Sequence, residues 1–567
     1  MAEYLDCGLG ICDALARMRR AVRLLLAMTC LMSQDGVIMG GQAEHVVVVV
    51  WDGMRPDFVS AQYTPVLDDL ARRGTFFRNH HSSYVSSTEV NGTALATGAY
   101  PDHSGVLANA QYRPELSWST SFATESLDAI RRYDLISDGH YLAVPTLAEI
   151  LQGAGIPTFT AGAKPVVLLH DRAARERLPA PGDSGVLFRG QTLPRSVLKG
   201  LEAIPEIGPF PGNAAKPEST EERILDWTRT GRDKVLAWLN GNPKIPSLSR
   251  QMDAWTTRAV VYGFWKDAVP KYTLLWLSEP DASQHETGPG SPNAEVALEH
   301  SDRNLGLIIK ALKDKGVLDR TDLLVVSDHG FSTSDHGPDL VKSLRRANFI
   351  AGKEFDNPEA GDVMVVGLGG SALFYVFEHD KPTIQRLVQF LQGSDFAGVI
   401  FSSIALEGTF SLAQAHLDAG RNAPDVLVSM RWSNDRNDWG ARGWVIAAGG
   451  HRGTGTHGSL SRFDLHNTLI AAGPDFKGGF VSELPSGNVD IAPTVLAILG
   501  LPQPKSMDGR VLSEAFVGNE VVPLKAEHET FQASRDLGFR HWRQSLTVSR
   551  VGGVLYYDEG NGESDLK

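Results

Sequence analysis

The chain has 567 residues, 42% hydrophobic and 21% charged, with a net charge of -13. That length admits one large catalytic domain with insertions, or two or three ordinary domains. The acidic balance excludes general nucleic-acid binding, which needs a surplus of Lys and Arg against phosphate, but it leaves room for a small phosphorylated substrate whose charge a bound dication offsets.

In chain order, "RMRRAVRLLLAMTCLM" sets a basic cluster before a short apolar run from Leu24 to Met32, and a polar, Gly-rich stretch then reaches Ala43. This is the order of an export signal cleaved after Ala43, with Met18 as the working start; the competing reading is an ordinary first helix. The run is too short to span a bilayer, so an exported protein, periplasmic or extracellular and without a transmembrane anchor, is expected. Cys7, Cys12 and Cys30 all fall in this end, and cleavage would leave a mature chain without disulfide or thiolate chemistry. "AMTC" is a poor lipidation box.

"HVVVVVWDG" follows as a strand apolar on both faces, which fits a sheet covered by helices on each side. "TPVLDDLARRG" reads as a helix, with Thr64 as N-cap, Pro65 in the first turn, Leu67 and Leu70 inward and Gly74 as stop. Strand and helix alternate again through "YTLLWLSEPD", "SPNAEVALEHSDRNLGLIIKALKDKG" and "DLLVVSDHG". The pattern is α/β with a largely parallel sheet.

Two regions interrupt the alternation. Residues 110–260 are rich in Pro, Gly and charge and hold the strand-like "IPTFTAGAK". Residues 336–447 carry "ALFYVFEHD", the helix-like "PTIQRLVQFLQG" and "APDVLVSMRW", enough for an inserted subdomain. The expected division is a signal and pre-segment at 1–43, a first part of the core at 44–335 with substrate-side insertions at 110–260, a cap at 336–447, a second part of the core at 448–515, and a strand-rich extension at 516–567. In that extension "HWRQSLTVSRVGGVLYYDEG" reads as a hairpin on a Gly-Gly turn.

Three apolar runs end in acids, at Asp52, Asp281 and Asp328. In an open α/β sheet, ligands bind outside the carboxyl ends of the strands. Parallel strands would therefore gather these carboxylates along one edge, although each alone is a common turn residue. His285 stands one helical turn beyond Asp281, His329 adjoins Asp328, and His457 lies in the glycine-flanked "GTGTHGSL". Three carboxylates on one edge repel each other unless a cation compensates. Mixed imidazole and carboxylate donors suit zinc first and manganese or iron second; calcium prefers all-oxygen sites. In "YVSSTEVNGTALATG", Thr88 falls near a helix N-terminus, where amides favour an anionic phosphate. The simpler reading there is a helix cap at Ser87 or Thr88.

In order, "WDG", "TEVN", "TGAYPDHSG", "DASQHETGPGS", "SDHGF" and "THGSL" resemble the alkaline phosphatase superfamily, and within it the type I phosphodiesterase / nucleotide pyrophosphatase branch. "GPDFKGGF" and "NVDIAPTVLAILGLPQPKSMDGR" are similar to that branch's C-terminal signature. The resemblance implies a three-layer α/β/α fold and a pair of zinc ions, with manganese or another dication as substitute. One zinc would be held by Asp281, His285 and His457. The other would be held by Asp52, Asp328 and His329, with Thr88 as a further ligand. Thr88 would be the nucleophile, forming a phosphothreonine that water then hydrolyses, and Asn91 would donate to a phosphoryl oxygen.

Departures from relatives narrow the chemistry. Sulfatases of this fold need a Cys or Ser in a Cys/Ser-x-Pro-x-Arg context, and the position here reads Thr-Glu-Val-Asn. Classical alkaline phosphatases place an Arg after the nucleophile to clasp a monoester dianion; Glu89 stands here and repels one, which favours diesters. Many nucleotide pyrophosphatases place an aromatic there to stack on the base, a task left to Tyr84, Tyr112 or the 110–260 stretch. The alternatives are a phosphonoacetate hydrolase-like enzyme, a phosphomonoesterase, and a metal-retaining binding protein without catalysis. Asp302 is expected as a hydrogen-bonded core acid, with support of a ligand histidine as the alternative, and Asp335-His336 as part of a solvated loop. His80-His81, His103 and His451 are expected as surface or packing residues, and Lys164 as a candidate contact for an anionic substrate group. Trp227, Trp238 and Trp255 would line the substrate side or pack.

Overall fold

The computed structural model describes residues 41–175, 183–188, 192, 194–211, 247–518 and 524–566. The basic and apolar N-terminal stretch, its three cysteines, Trp227 and Trp238 lie outside the described residues. Among those described, eight strands make the central sheet: β1 (His45–Trp51), β2 (Thr75–Phe77), β3 (Thr158–Gly162), β4 (Gly185–Phe188), β5 (Tyr272–Leu277), β6 (Thr321–Val326), β7 (Leu469–Ala472) and β8 (Phe480–Ser482). Their spatial order is β8-β2-β7-β6-β1-β5-β3-β4. β1 lies parallel to β5 and β6, and β3 parallel to β5 and β4. β7 is reversed against β6 and β2. The sheet is largely parallel, as the alternation of strands and helices leads one to expect.

The five valines of β1 explain the layering. Val46, Val48 and Val50 join one apolar cluster, and Val47, Val49 and Trp51 join another. Each face needs its own helical cover because successive side chains on a strand point to opposite sides. On the first face lie α2 (Thr88–Thr97), through Leu95, and α7 (Ile491–Ile498), through Ile491 and Val495. On the second lie α1 (Pro65–Arg73), α3 (Leu248–Arg258) and α5 (Pro292–Asp314), through Leu67, Trp255, Leu298, Leu305 and Leu312. The result is a three-layer α/β/α core. Trp255 packs inside it. No helix among the described residues is long and apolar enough to cross a membrane.

α1 begins at Thr64 as expected, but the Thr64 side chain does not cap it. Asp302, on α5, does so instead: its carboxylate accepts from the amides of Val66 and Leu67 at 3.0 and 2.9 Å. The core acid therefore caps a neighbouring helix and does not support a ligand histidine.

Between β6 and β7 the chain leaves the core. A six-stranded sheet spans Ala351–Gly352 to Val426–Met430, with α6 (Lys381–Gln392) packed on it through Ile384, Leu387 and Leu391. A four-stranded sheet joins Ser332–His336 to Arg442–Ala447 in parallel and to Gly455–Thr456 antiparallel. Asp335 and His336 thus end a strand and are not loop residues, although His336 is exposed. The last three strands, Glu527–Asp536, Arg540–Val551 and Val554–Leu566, form an antiparallel sheet whose tight turn is Gly552-Gly553, both at positive φ.

Candidate metal centre and nucleophile

Three strand ends supply the acids. Asp52 follows β1, Asp328 lies two residues beyond β6, and Asp281 opens the short helix α4 (Asp281–Thr287) after β5. α4 also settles His285, one turn on, with its Nε2 3.3 Å from Asp281 Oδ1. His457 follows the strand Gly455–Thr456 and brings its Nε2 to 3.5 Å from the same oxygen. On the other side, His329 Nε2 lies 3.2 Å from Asp328 Oδ2, 3.6 Å from Asp52 Oδ1 and 3.2 Å from Thr88 Oγ1. The donor atoms of Asp281, His285 and His457 fall within 4.8 Å of one another, and so do those of Asp52, Asp328 and His329. All seven sequence-derived positions, Thr88 included, meet at one rim of the sheet.

Backbone close approaches hold the motif loops. Gly53 after Asp52 adopts φ of 71°, and a Cβ there would stand 3.1 Å from that of Asp281. Gly330 after His329 is pressed against the chain: a Cβ would lie 2.1 Å from the Phe463 carbonyl oxygen. The Gly53 amide donates to Asp328 Oδ1 at 3.0 Å, and the Trp276 indole donates to Asp52 Oδ2 at 2.8 Å.

The histidines share one arrangement. The Nδ1 atoms of His285, His329 and His457 face the carbonyl oxygens of Gly455, Gly330 and Ser86 at 3.1, 2.9 and 3.0 Å. A carbonyl only accepts, so each Nδ1 carries the proton and each Nε2 turns a lone pair toward the carboxylates. Outer-shell bonds of this kind orient metal-ligating imidazoles. Burial, reinforced by His329 and His285, pushes the His457 pKa far down and keeps that ring neutral.

The carboxylates show what the site is built to hold. Asp52 Oδ1, Asp281 Oδ1 and Asp328 Oδ2 are buried without a hydrogen-bond partner. Burial raises the pKa of Asp52 well above the carboxylate range, with repulsion from Asp328 adding to it, and burial also raises that of Asp328. Asp281 goes the other way: against its burial, attraction to Lys164 and His285 holds it low. Lys164 Nζ sits 2.8 Å from Asp52 Oδ2 and 2.6 Å from Asp281 Oδ2. Unpaired buried carboxylate oxygens crowded at one rim are costly unless a cation occupies the space between them. This donor set fits two divalent ions.

Thr88 starts α2, and the N-cap Ser87 makes no side-chain capping bond. Neither hydroxyl serves as a cap. Asn91 does not face Thr88 in this structure. Its amide donates to the carbonyls of Ser83 and Ser87 at 3.1 Å each, and its Oδ1 accepts from the Ser83 amide and from Asn488. It braces the loop that carries the nucleophile. Asn109, which sequence reading passed over, has its Oδ1 3.2 Å from the Glu89 amide. Asn109 therefore stands at the end of the helix that carries Thr88. Glu89 is buried, and burial together with Glu125 raises its pKa well above the usual range.

The proposed stacking residues are otherwise engaged. Tyr84 is fully buried, its hydroxyl on Ser371 Oγ at 2.9 Å, and Tyr112 packs edge-on against Tyr375 and Phe377. His103 is exposed beside Asp508 and His451 is exposed, whereas His80 and His81 are wholly buried. Trp276 and Asn109 are the residues the sequence did not yield; Lys164, expected as a contact for an anionic substrate group, pairs here with two rim carboxylates. Lys164 carried a readable signal, since it ends a strand-like run on the same rim as the aspartates.

Residues 46–459 match the family model for type I phosphodiesterase / nucleotide pyrophosphatase. Among curated relatives, the chain is 26% identical over 281 residues to ectonucleotide pyrophosphatase/phosphodiesterase family member 1 of Mus musculus, a match covering 49% of this chain and 23% of that protein. It is 24% identical over 503 residues to member 7 of Homo sapiens, covering 87% and 88%. The chain thus spans about a quarter of the first relative and most of the second. Among solved structures, murine ectonucleotide pyrophosphatase / phosphodiesterase 5, in an inactive form in complex with AMP, superposes with a TM-score of 0.53 at 16% identity, over 81% of this chain and 95% of that one. That likeness bears on the fold.

Proposed function

Because the chain belongs to the type I phosphodiesterase / nucleotide pyrophosphatase family, we propose that it hydrolyses phosphate diesters or pyrophosphate linkages by attack of the Thr88 hydroxyl on phosphorus. The observation that carries the reading is the set of three buried, partnerless carboxylate oxygens facing three imidazole Nε2 atoms beside Thr88. Asp281, His285 and His457 would hold one divalent ion, and Asp52, Asp328, His329 and Thr88 a second, zinc before manganese by donor type. When bound, such ions supply Lewis acidity, which lowers the pKa of an alcohol and offsets charge on phosphoryl oxygens.

The chain's own groups do the rest. Thr88 Oγ1 gives up its proton to solvent and forms a bond to phosphorus as the bond to the leaving oxygen breaks, and the leaving group departs as a phosphate or as an alkoxide that solvent protonates. Water then cleaves the phosphothreonine, releasing a monoester and restoring the hydroxyl. The remaining amides at the start of α2 and the Asn109 carboxamide beside them would offer donors for the non-bridging oxygens. Asn91 fixes the loop that aims Thr88. Glu89, which burial holds protonated, stands where a cationic clasp for a monoester dianion would be needed and supplies none, which supports a diester over a monoester. Export to the periplasm or outside the cell rests on the basic and apolar order of residues 18–43.

The test is a comparison of initial rates on zinc-loaded protein for bis(4-nitrophenyl) phosphate, 4-nitrophenyl phosphate and phosphonoacetate. The diester should be fastest; equal or faster monoester or phosphonate turnover overturns the assignment, and turnover of none of the three favours a binding protein. Thr88→Ala should keep its metal and lose roughly a thousandfold or more in kcat. Near-normal turnover in that variant would sink the covalent intermediate.

A further inference from the structure

A fourth histidine repeats the arrangement of the three at the rim, about which the motifs say nothing. His81 is wholly buried, in a short strand paired with Ser486–Gly487. Its Nδ1 faces the Ser486 carbonyl oxygen at 3.1 Å, so that nitrogen carries the proton. Its Nε2 meets Asp558 Oδ1 at 3.1 Å, and against burial that contact holds the Asp558 carboxyl below its usual range, so a charged carboxylate faces a nitrogen whose ring proton sits on Nδ1. Asp558 comes from the last strand, and its other oxygen accepts from Ser549 Oγ at 2.7 Å, which fixes the carboxylate.

Two ways exist to relieve that confrontation: a second proton on His81, or a cation between the two atoms. His466 distinguishes them. Its ring centroid lies 4.3 Å from that of His81, and one donor atom from each of His81, His466 and Asp558 falls within 4.8 Å of the others. Burial pushes the His466 pKa down to about 3, so its ring is neutral and offers a lone pair to the same point. A shared proton uses two partners, whereas three converge here. Ligand atoms about 2.0–2.1 Å from a tetrahedral zinc lie roughly 3.3 Å apart, close to the observed His81–Asp558 separation and to those at the rim.

We propose that His81, His466 and Asp558 bind a further divalent cation, zinc by donor type, outside the hydrolytic centre. The ion ties three segments distant in sequence: the strand leading to the nucleophile loop, the stretch between His457 and β7, and the final strand of the C-terminal sheet. Three protein donors leave a fourth position for water. The site is structural, because Thr88 and the substrate rim are served by other residues. It stands independently of the hydrolytic assignment.

The test counts metal per chain by mass spectrometry after zinc loading and desalting. Wild type should carry three ions, and Asp558→Asn and His466→Gln two each, with diester turnover at 25 °C retained and thermal stability lowered. Asp52→Asn combined with His329→Ala should also lose an ion, but from the hydrolytic centre, so failure there is read separately. Should the Asp558 and His466 variants not fold, anomalous diffraction at the zinc edge on wild-type crystals decides the matter through a peak bonded to His81 Nε2. No such peak, or a metal count that Asp558→Asn leaves unchanged, overturns the proposal.

Discussion

Lys164 reaches the rim from the end of β3 and pairs with two carboxylates that are otherwise partly unsatisfied. In metal-free protein it is the nearest fixed positive charge to Asp52 and Asp281, and removing one member of a buried ion pair typically costs about 3–5 kcal/mol. Lys164→Met is therefore expected to lower the urea midpoint of chelator-treated protein markedly. Zinc should narrow the gap to wild type, because the dications replace the lost charge. An equal deficit with and without zinc would mean that the lysine contributes packing rather than charge. At this scale the sequence was readable where an acid closes an apolar run, as at Asp52, Asp281 and Asp328. It was unreadable where a polar group acts across the fold: Asn109 meets the helix that starts at Thr88 only through tertiary structure, and Asn91, at the motif's own spacing, proves to be spent on local carbonyls.

Among the elements, the strand-to-loop passage after β6 carries the most. The "DHG" triplet can present two neighbouring donors because Gly330 lets the chain lie against the carbonyls of Phe463 and His466, 2.1 and 2.5 Å from where a Cβ would stand. Those contacts are with backbone, which cannot rotate away. Gly330→Ala should push this loop outward, lower zinc occupancy at Asp328 and His329, and reduce kcat by at least about tenfold, since misplacement near 1 Å costs up to a hundredfold. Metal analysis beside kinetics checks this; normal occupancy with normal rate would refute it. Strand identity at β1 followed from an unbroken apolar run, whose valines are buried on both faces of the sheet. The cap of α1 left no such signal, because its partner Asp302 lies more than two hundred positions away and looked like a polar intrusion on an apolar stripe.

For the molecule as a whole, the rim couples metal binding to folding. A ligand that binds only the folded state adds about 2.7 kcal/mol of stability at a concentration one hundred times its Kd. Chelation should therefore lower the melting temperature, and zinc titrated back should raise it in proportion to the logarithm of its free concentration. A melting temperature indifferent to chelation would contradict the metal centre. The three-layer core was legible because buried parallel strands leave continuous apolar runs. The course of the chain beyond it was less so: the short strand Ser332–His336 is defined by partners at 442–447 and 455–456, more than a hundred residues downstream.

That four-stranded ribbon has a thermodynamic corollary. It clasps the point where the chain departs after Phe331 to the point where it returns before His457, so the hundred or so intervening residues form a loop whose mouth is already shut. Closing a longer loop across a fixed mouth costs only about 0.6 kcal/mol for each doubling of length. Loops of the segment spanning the six-stranded sheet are accordingly free to lengthen or shrink at little entropic expense, so long as the turn at Gly369–Ser371 keeps its contact with Gly458 and Ile400 and Gly408 keep theirs with Gln544 and Trp542 of the C-terminal sheet.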